Sequence, residues 1–406
     1  MAGGSRQRVA VLGAGIMGCC IAPLLARRGV EVVLFESEQA LLPGASRWNE
    51  GKIHLGYLYS GDRGLHTARG LLTGGLLFRP LLEELLGAGL PDVTTSPDLY
   101  LVHNESIVSA ADTAGYFAAL TDLVREHPLA GHYPGDLRRA VTTRVPRAEL
   151  DGMVDGARFQ AGFATPEKSV CTRGVAGLLA AAVQAEPGIL CRTGTEVLGA
   201  SRDGNARREL FRVATADGVQ GPFTAVVNAL WAGRPAVDRS MSVDNLYKPS
   251  IRYRLSLFVD TEHDLSLPCA VICTGPFGDI KNYNGRRFYL SWYPGGLVYA
   301  SDDTAVPDLS CIAAADRQRI ADETFARLGD HIPAVAALRG QATSIAVEGG
   351  WVFANGRGSL SDPAASVHRR DKVGIHQSGG WFSVDTGKYS LAPWLAREVA
   401  GRILGR

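Results

Sequence analysis

The stretch from Val9 to Glu36 constrains this chain more than any other. Val9-Ala10-Val11-Leu12 is an apolar run of strand length, and Gly13-Ala14-Gly15-Ile16-Met17-Gly18 follows at once. An apolar stretch then runs to Ala26 and stops at Arg27, Arg28 and Gly29. Glu31-Val32-Val33-Leu34-Phe35 reads as a second strand, with Glu36 and Ser37 at its end. This is a strand–turn–helix–strand unit with Gly-x-Gly-x-x-Gly in its first turn. Gly13 allows the tight turn, Gly15 lets the backbone approach a pyrophosphate, and Gly18 lets the helix pack on the strand. The helix N-terminus offers free N–H groups and a partial positive charge to phosphates. Glu36 is placed to accept hydrogen bonds from ribose hydroxyls and would repel a 2′-phosphate, which argues against NADP. Read alone, the unit fits NAD and FAD equally.

Val9 to Ala26 carries no charge, yet three glycines and Pro23 make it a poor membrane span. A signal peptide fits no better, because the run leads straight into a second strand. Pro23 falls inside the expected helix and should kink it. The 406 residues can hold two domains, or one large domain with an inserted one. A net charge of +1 gives no electrostatic case for nucleic acid or an anionic membrane. The seven cysteines are scattered and form no Cys-x-x-Cys pair, so a disulfide framework is not expected and a reducing cytoplasm is the simplest compartment. Only six of the 42 basic residues are lysines, so a lysine inside a motif draws notice.

Ala45 to Gly56 packs amide, hydroxyl, cationic and imidazole groups into one Gly-rich loop, while Trp48, Ile53 and Leu55 in it want burial. Such a loop beside a nucleotide unit is a candidate functional segment. His66 to Gly87 repeats leucine at helical spacing and reads as core packing. Leu99 to His103 reads as a strand, and Asp112 as the cap of a helix to about His127. His127, His132 and Tyr133 match no standard metal spacing, and no metal site is expected. Thr172 to Glu186 reads as a helix. Strands follow at Ile189–Cys191, Thr195–Leu198, Phe211–Thr215 and Thr224–Ala229, with turns at Asp203-Gly204 and Asp217-Gly218. Ile251 to Asp260 and Arg287 to Ser301 alternate in the strand manner; the aromatic rings of the second, Tyr289 and Trp292 among them, can line a pocket or simply belong to a two-sided sheet. A charged, exposed helix is expected over Cys311 to Gly329. Gly380 to Asp385 is a last strand, and Leu391 to Leu404 a last helix.

These pieces together resemble the D-amino-acid-oxidase-like, or glycine-oxidase/sarcosine-oxidase-like, FAD-dependent oxidoreductases. Four places carry the resemblance: the nucleotide unit, Ser46 to Gly56, Val226 to Gly233, and Gly387-Lys388-Tyr389-Ser390. Asn49-x-Gly51-x-Ile53-His54-x-Gly56 looks like the 2-hydroxyglutarate-oxidising branch. Asp385-Thr386-Gly387 stands where the family usually has Gly-His-Gly. The resemblance implies an α/β fold, with a Rossmann-like FAD-binding domain over 1–78, 155–235 and 340–406. A substrate domain built on a mainly antiparallel sheet would occupy 79–154 and 236–339. It implies FAD held by Gly13, Ala14, Gly15, Ile16, Met17, Gly18, Glu36, Ser37, Ser46, Arg47, Asn49, Glu50, Gly51, Lys52 and Ile53. Val197, Ala229, Trp231, Asp385, Gly387, Lys388, Tyr389 and Ser390 complete that set.

The implied reaction is hydride transfer from a carbon bearing N or O to flavin N5, with oxygen or another electron carrier as acceptor. An amine must be neutral to react, whereas a 2-hydroxy acid needs a base for its hydroxyl proton, which suits a histidine. Lys388 is the candidate for the substrate carboxylate, since a lysine at a helix start calls for a reason. Lys52 is a candidate to activate oxygen or hold substrate, or it simply stays in solvent. His54 is open to four readings: base, flavin contact, covalent attachment, or an ordinary hydrogen-bonded loop histidine. Arg252 and Arg254 share one face of a strand and can bind a second carboxylate or lie partly exposed, and His368, Arg369 and Arg370 share that ambiguity. A carboxylated primary or secondary amine is the first substrate class, a 2-hydroxy acid the second. A non-catalytic FAD-binding subunit is the third reading.

Overall fold

The computed structural model describes residues 7–90, 92–205, 208–244, 247–309 and 312–405. The nucleotide unit forms as its sequence dictates. Arg8–Leu12 and Glu31–Phe35 pair in parallel around the helix Ile16–Ala26. They sit inside a six-stranded sheet, flanked by Ala225–Asn228, Trp381–Asp385 and Gly374–Ser378 on one side and by Ile189–Arg192 on the other. All its pairings are parallel except the edge pair Gly374–Ser378 and Trp381–Asp385. A parallel sheet is covered on both faces, which is why Val9 to Leu12 is apolar without a break and wholly buried. Side chains alternate between the covers. Val9, Val11, Val32 and Leu34 join the helix-side core, while Ala10, Leu12, Val33 and Phe35 pack with Phe211, Val213 and Phe223. Those three come from the antiparallel sheet Val197–Asn205, Arg208–Thr215 and Gly218–Phe223.

Pro23 does not end its helix. Ile16–Ala26 runs unbroken, and Arg27 N–H donates to the Pro23 carbonyl at 3.0 Å. Among the described residues no helix is long and apolar enough to cross a membrane.

A nine-stranded sheet forms the second layer. Its spine is Ser250–Thr261, which pairs along its whole length with Ala342–Ala354. Every pairing is antiparallel except Ala270–Cys273 with Leu99–His103. One face is apolar: Leu257, Val259, Phe288 and Leu290 pack on Phe325 and Leu328 of the helix Ala314–His331. That helix is therefore half-buried rather than simply exposed. Register places Arg254, Ser256, Tyr289, Ser291, Asp279 and Lys281 on the opposite face. Phe159–Ala164 and Ala342–Ala354 belong to this sheet, although both fall in segments expected to lie with the nucleotide unit.

Local expectations shift in four places. Arg287–Ser301 is not one strand: Arg287–Trp292 and Leu297–Ser301 are separated by a helical turn at Tyr293–Gly296, where Pro294 and two glycines interrupt pairing. The helix Ala110–Glu126 is capped by the Ser109 hydroxyl, which accepts from Asp112 N–H at 3.1 Å, so Asp112 is its third residue. Asp203-Gly204 stays in the strand Val197–Asn205, and residues 206–207 beyond it lie outside the described residues, as does Cys311. The helix His66–Leu86 is more than leucine packing, because a Cβ on Gly75 would lie 2.1 Å from the His54 carbonyl oxygen.

The tightest constraint in the nucleotide turn is Gly18, where a Cβ would lie 2.0 Å from the Gly13 carbonyl oxygen. Gly18→Ala must displace the turn, at a cost of about 1–3 kcal/mol or more. Urea unfolding should show that loss, together with weaker FAD retention on gel filtration. Unchanged stability and retention would refute the packing argument.

Candidate active site between the two layers

The first turn is shaped by its own backbone and braced by its neighbours. Gly13 adopts φ +92°, a left-handed conformation suited to glycine, and its N–H donates to the Phe35 carbonyl. Ile16 N–H at the helix start donates to Ser46 Oγ at 2.9 Å, which ties the second loop to the nucleotide turn. Glu36 Oε2 accepts from Ala14 N–H at 2.9 Å, and its Oε1 accepts from Ser37 Oγ and Glu38 N–H, both at 3.1 Å. Glu36 thus braces the turn that it faces.

A cavity of about 570 Å³ runs from this turn to the nine-stranded sheet. Gly13, Gly15, Ile16, Met17, Glu36, Ser37, Ser46, Asn49, Glu50, Ala229 and Trp231 line it. So do Lys52, His54, Gly387, Lys388, Tyr389, Arg252, Arg254, Tyr289 and His368. Ala14, Gly18, Arg47, Gly51, Ile53, Val197, Asp385 and Ser390 are not on its wall. Several of these support it from behind. Gly51, at φ +63°, leaves no room for a Cβ against Val170, and Ser390 Oγ accepts from His54 N–H at 3.3 Å. Asp385 is buried, with Oδ1 accepting from Gly387 N–H at 2.9 Å and Oδ2 from Asn355 at 2.7 Å, so it shapes the last turn. Trp292 is a correction. It packs near His331 on the helix-facing side, with ring centres 5.3 Å apart, because it and Tyr289 differ in parity along one strand. Tyr293, of the same parity as Tyr289, lines the cavity instead.

Lys52 is not free. Its Nζ lies 2.5 Å from Asp98 Oδ2, 3.2 Å from the Tyr100 hydroxyl and 3.4 Å from Glu167 Oε2. Lys281 Nζ meets the other oxygen of Asp98 at 2.6 Å. All four charged groups are at most 2% exposed. Burial alone would lower the lysine pKa, but the charges of Asp98 and Glu167 hold Lys52 protonated, above its ordinary value. Burial pushes the Asp98 carboxyl up, and Lys281 and Lys52 more than reverse it. Lys52 is therefore a fixed cation. Asp98, Glu167 and Lys281 escaped the sequence reading, since none lies in a motif; the scarcity of lysine was the one signal for Lys281.

His54 is 1% exposed, and its Nδ1 has no hydrogen-bonding partner. Burial first, then the charges of Lys388, Lys52, Lys281 and Arg370, hold it well below the ordinary histidine value of 6.5, so the ring is neutral. Lys388 Nζ stands 5.5 Å from the centre of the Tyr59 ring, and that ring is 5.9 Å from His54. Arg252 donates to the Gly358 carbonyl at 3.2 Å. Arg254 donates to Ser291 Oγ at 2.6 Å and lies over Tyr293 at 4.1 Å from the ring centre. His368 Nε2 is 2.8 Å from the Asp362 carbonyl oxygen. Arg370 lines the cavity as well, and so does Asp279, which no motif in the sequence marks. Tyr59, Tyr389, Arg254 and His54 each carry a buried polar atom without a partner and line this one cavity. A ligand rich in donors and acceptors would satisfy them, which is the fit expected for a dinucleotide.

A phosphate-binding turn with an acid beyond it, facing a charged cavity, defines the class of dinucleotide-dependent oxidoreductases. More narrowly, the chain belongs to the DAO family of FAD dependent oxidoreductases, whose family profile matches residues 8–400. Comparison with curated proteins finds no match. Among solved structures, glycine oxidase from Geobacillus kaustophilus aligns over 98% of this chain and 95% of its own, with TM-score 0.70 and 17% identity. Iminodiacetate oxidase from Chelativorans sp. BNC1 aligns over 98% and 96%, with TM-score 0.66 and 16% identity. L-alpha-glycerophosphate oxidase from Mycoplasma pneumoniae, solved with FAD bound, aligns over 98% and 94%, with TM-score 0.64 and 14% identity. These likenesses concern the fold. The protein is an FAD-dependent oxidoreductase.

Two outcomes follow from the buried charges. Asp98→Ala leaves two buried lysines without their shared anion and should destabilise the holoprotein by about 3–5 kcal/mol in urea unfolding. His54 is held neutral in the fold, while an unfolded chain protonates near 6.5. The unfolded state then binds more protons below that pH, so stability should fall as pH drops through about 6.5. His54→Gln should reduce this slope in pH-dependent melting, and an unchanged slope would contradict the neutral assignment.

Proposed function

We propose that the protein oxidises the C–N bond of a carboxylated primary or secondary amine, with oxygen reoxidising the cofactor. The observation that carries this reading is the convergence of Lys388, Arg252, Arg254 and Arg370 on the cavity, with neutral His54 among them. Lys52 and Lys281 are spent on Asp98, so these four are the cations with charge to spare for a substrate carboxylate. Arg254 is pre-set by Ser291 and Tyr293, and a planar guanidinium can grip a carboxylate with two hydrogen bonds. The names of the glycine and iminodiacetate oxidases, which share the fold, describe amines of this kind.

FAD supplies the two-electron acceptor. The glycine turn and Ser46 would hold its pyrophosphate, and Glu36 its ribose. Lys388 and the arginines orient the substrate by its carboxylate, Tyr289 and Tyr293 close the sheet side, and His54 adds no charge to repel a departing proton. Holding the reacting carbon in one pose lowers the barrier through orientation.

One observation favours a second reading. The unpartnered Nδ1 of His54 can accept a hydroxyl proton, as oxidation of a 2-hydroxy acid requires. Anaerobic addition of carboxylated amines and of 2-hydroxy acids, followed by loss of flavin absorbance, separates the two. Bleaching only by hydroxy acids would overturn the amine reading. Lys388→Ala should raise KM by roughly 10–100-fold with FAD still bound, the loss expected for one charged hydrogen bond. An unchanged KM would remove Lys388 from carboxylate binding.

A further inference from the structure

We infer that Asp279, with Glu50 beside it, is the ammonium-recognition element of the cavity: it binds the substrate nitrogen as a cation and accepts the proton that must leave before oxidation. This rests on the amine reading above and names the group that enforces it.

Asp279 lies on the strand Gly278–Asn282, in register with Val271 on one side and Ser291 on the other. It therefore shares a sheet face with Tyr289, Lys281 and Arg254, and it lines the cavity. Glu50 enters from the loop that precedes Lys52 and lines the same cavity. Among the described residues neither carboxylate has a hydrogen bond or ion pair; Lys281 and Lys52 are taken by Asp98, and Arg254 donates to the Ser291 hydroxyl rather than to either acid. Both are half-buried, and acids drawn partly out of water are normally paired, so two unpaired ones on a cavity wall invite a cation in the cavity. An independent sign of a missing ligand is His54, 1% exposed, which lines the same cavity and whose Nδ1 has no partner.

The cavity is also zoned by charge. The cations near His54 that no acid has paired are Lys388 and Arg370, which make its surroundings a poor place for an ammonium and a good one for a carboxylate. Around Asp279 stand Lys281, Glu50, Lys52, Arg254 and Tyr289. Burial raises the Asp279 carboxyl, Lys281 lowers it, Glu50 raises it, and Lys52 and Arg254 lower it, leaving it pushed up to about 6. It is thus ionised at neutral pH yet basic enough to take a proton. In that transfer one N–H bond breaks and one O–H bond forms. The ion pair becomes a neutral pair, and the nitrogen lone pair is freed to support loss of the neighbouring C–H electrons to the cofactor. A 2-hydroxy acid brings no cation and leaves both carboxylates uncompensated.

The test uses FAD-loaded wild type, Asp279→Asn and Glu50→Gln. Anaerobic bleaching by carboxylated amines comes first; if none bleaches the flavin, the proposed function falls and takes this inference with it. With an oxidised amine in hand, wild-type kcat/KM should fall on the acid side with a midpoint near 6. Asp279→Asn should lose that limb and about a hundredfold or more in kcat/KM. Titrating flavin absorbance with the substrate and with the carboxylate of the same chain lacking the amine should show weaker binding of the amine alone. Glu50→Gln should move the acid midpoint downward, because Glu50 raises the Asp279 value. Retention of the acid limb in Asp279→Asn, equal weakening of both ligands, or an unmoved midpoint in Glu50→Gln would overturn the inference. So would loss of FAD from Asp279→Asn, which would assign the carboxylate to the cofactor instead.

Discussion

One buried carboxylate, Asp98, joins two lysines that reach it from separate parts of the chain. Lys52 arrives from the loop under the nucleotide unit, and Lys281 from the nine-stranded sheet. Taking four charges out of water is costly, and their mutual attraction repays it only when geometry and hydrogen bonds are complete. Here they are. Asp98 uses one oxygen for each lysine, while Glu167 stands by Lys52 and accepts from the Tyr100 hydroxyl. Two positive and two negative groups cancel, so the cluster adds little net field to the cavity beside it. Its work is positional, because it fixes the loop to the sheet and so sets the gap in which the cavity lies.

The same cluster disciplines His54. Glu167 Oε1 accepts from Leu55 N–H at 2.6 Å and Gly56 N–H at 3.2 Å, and the Tyr133 hydroxyl donates to the Ile53 carbonyl at 2.9 Å. The His54 backbone is held on both sides while its ring nitrogen stays open. Gly75 of the long helix brings that helix against the His54 carbonyl, and Gly74 does the same for Leu391 at the last turn. A leucine-rich helix is thereby also the floor on which both of these cavity-lining turns rest. Sites held this way lose little entropy on engaging a ligand.

Local chemistry was legible in the sequence, and long-range pairing was not. The glycine turn, both flanking strands and Glu36 all lie within thirty residues of one another, and each constrains its neighbours directly. The loop Ser46 to Gly56 and the Lys388 turn were readable because the resemblance sits in contiguous residues. Asp98 and Lys281 are 183 residues apart, and Glu167 is 112 from the amide that it holds, so no spacing rule reaches them. Trp292 shows a different failure. The alternation that set it against Tyr289 was visible, yet both were assigned to the pocket. Strict parity along Arg287–Trp292 selects Tyr289 and Ser291, and register then adds Asp279, Lys281 and Arg254.

That shared sheet face explains why the charges of the site can be specific at all. Rungs of an antiparallel sheet are spaced closely enough that Arg254, Ser291 and Asp279 are lateral neighbours, yet Arg254 bonds to the serine rather than to the acid. Had Arg254 and Asp279 paired, both charges would be neutralised before any substrate arrived. The intervening hydroxyl, with the Tyr293 ring under the guanidinium, keeps one cation and one anion separate and available on a rigid surface. The nucleotide layer opposite supplies the electron acceptor, and the sheet supplies a fixed pattern of charge. A substrate bearing both a carboxylate and a nitrogen can match that pattern only by lying between the two layers.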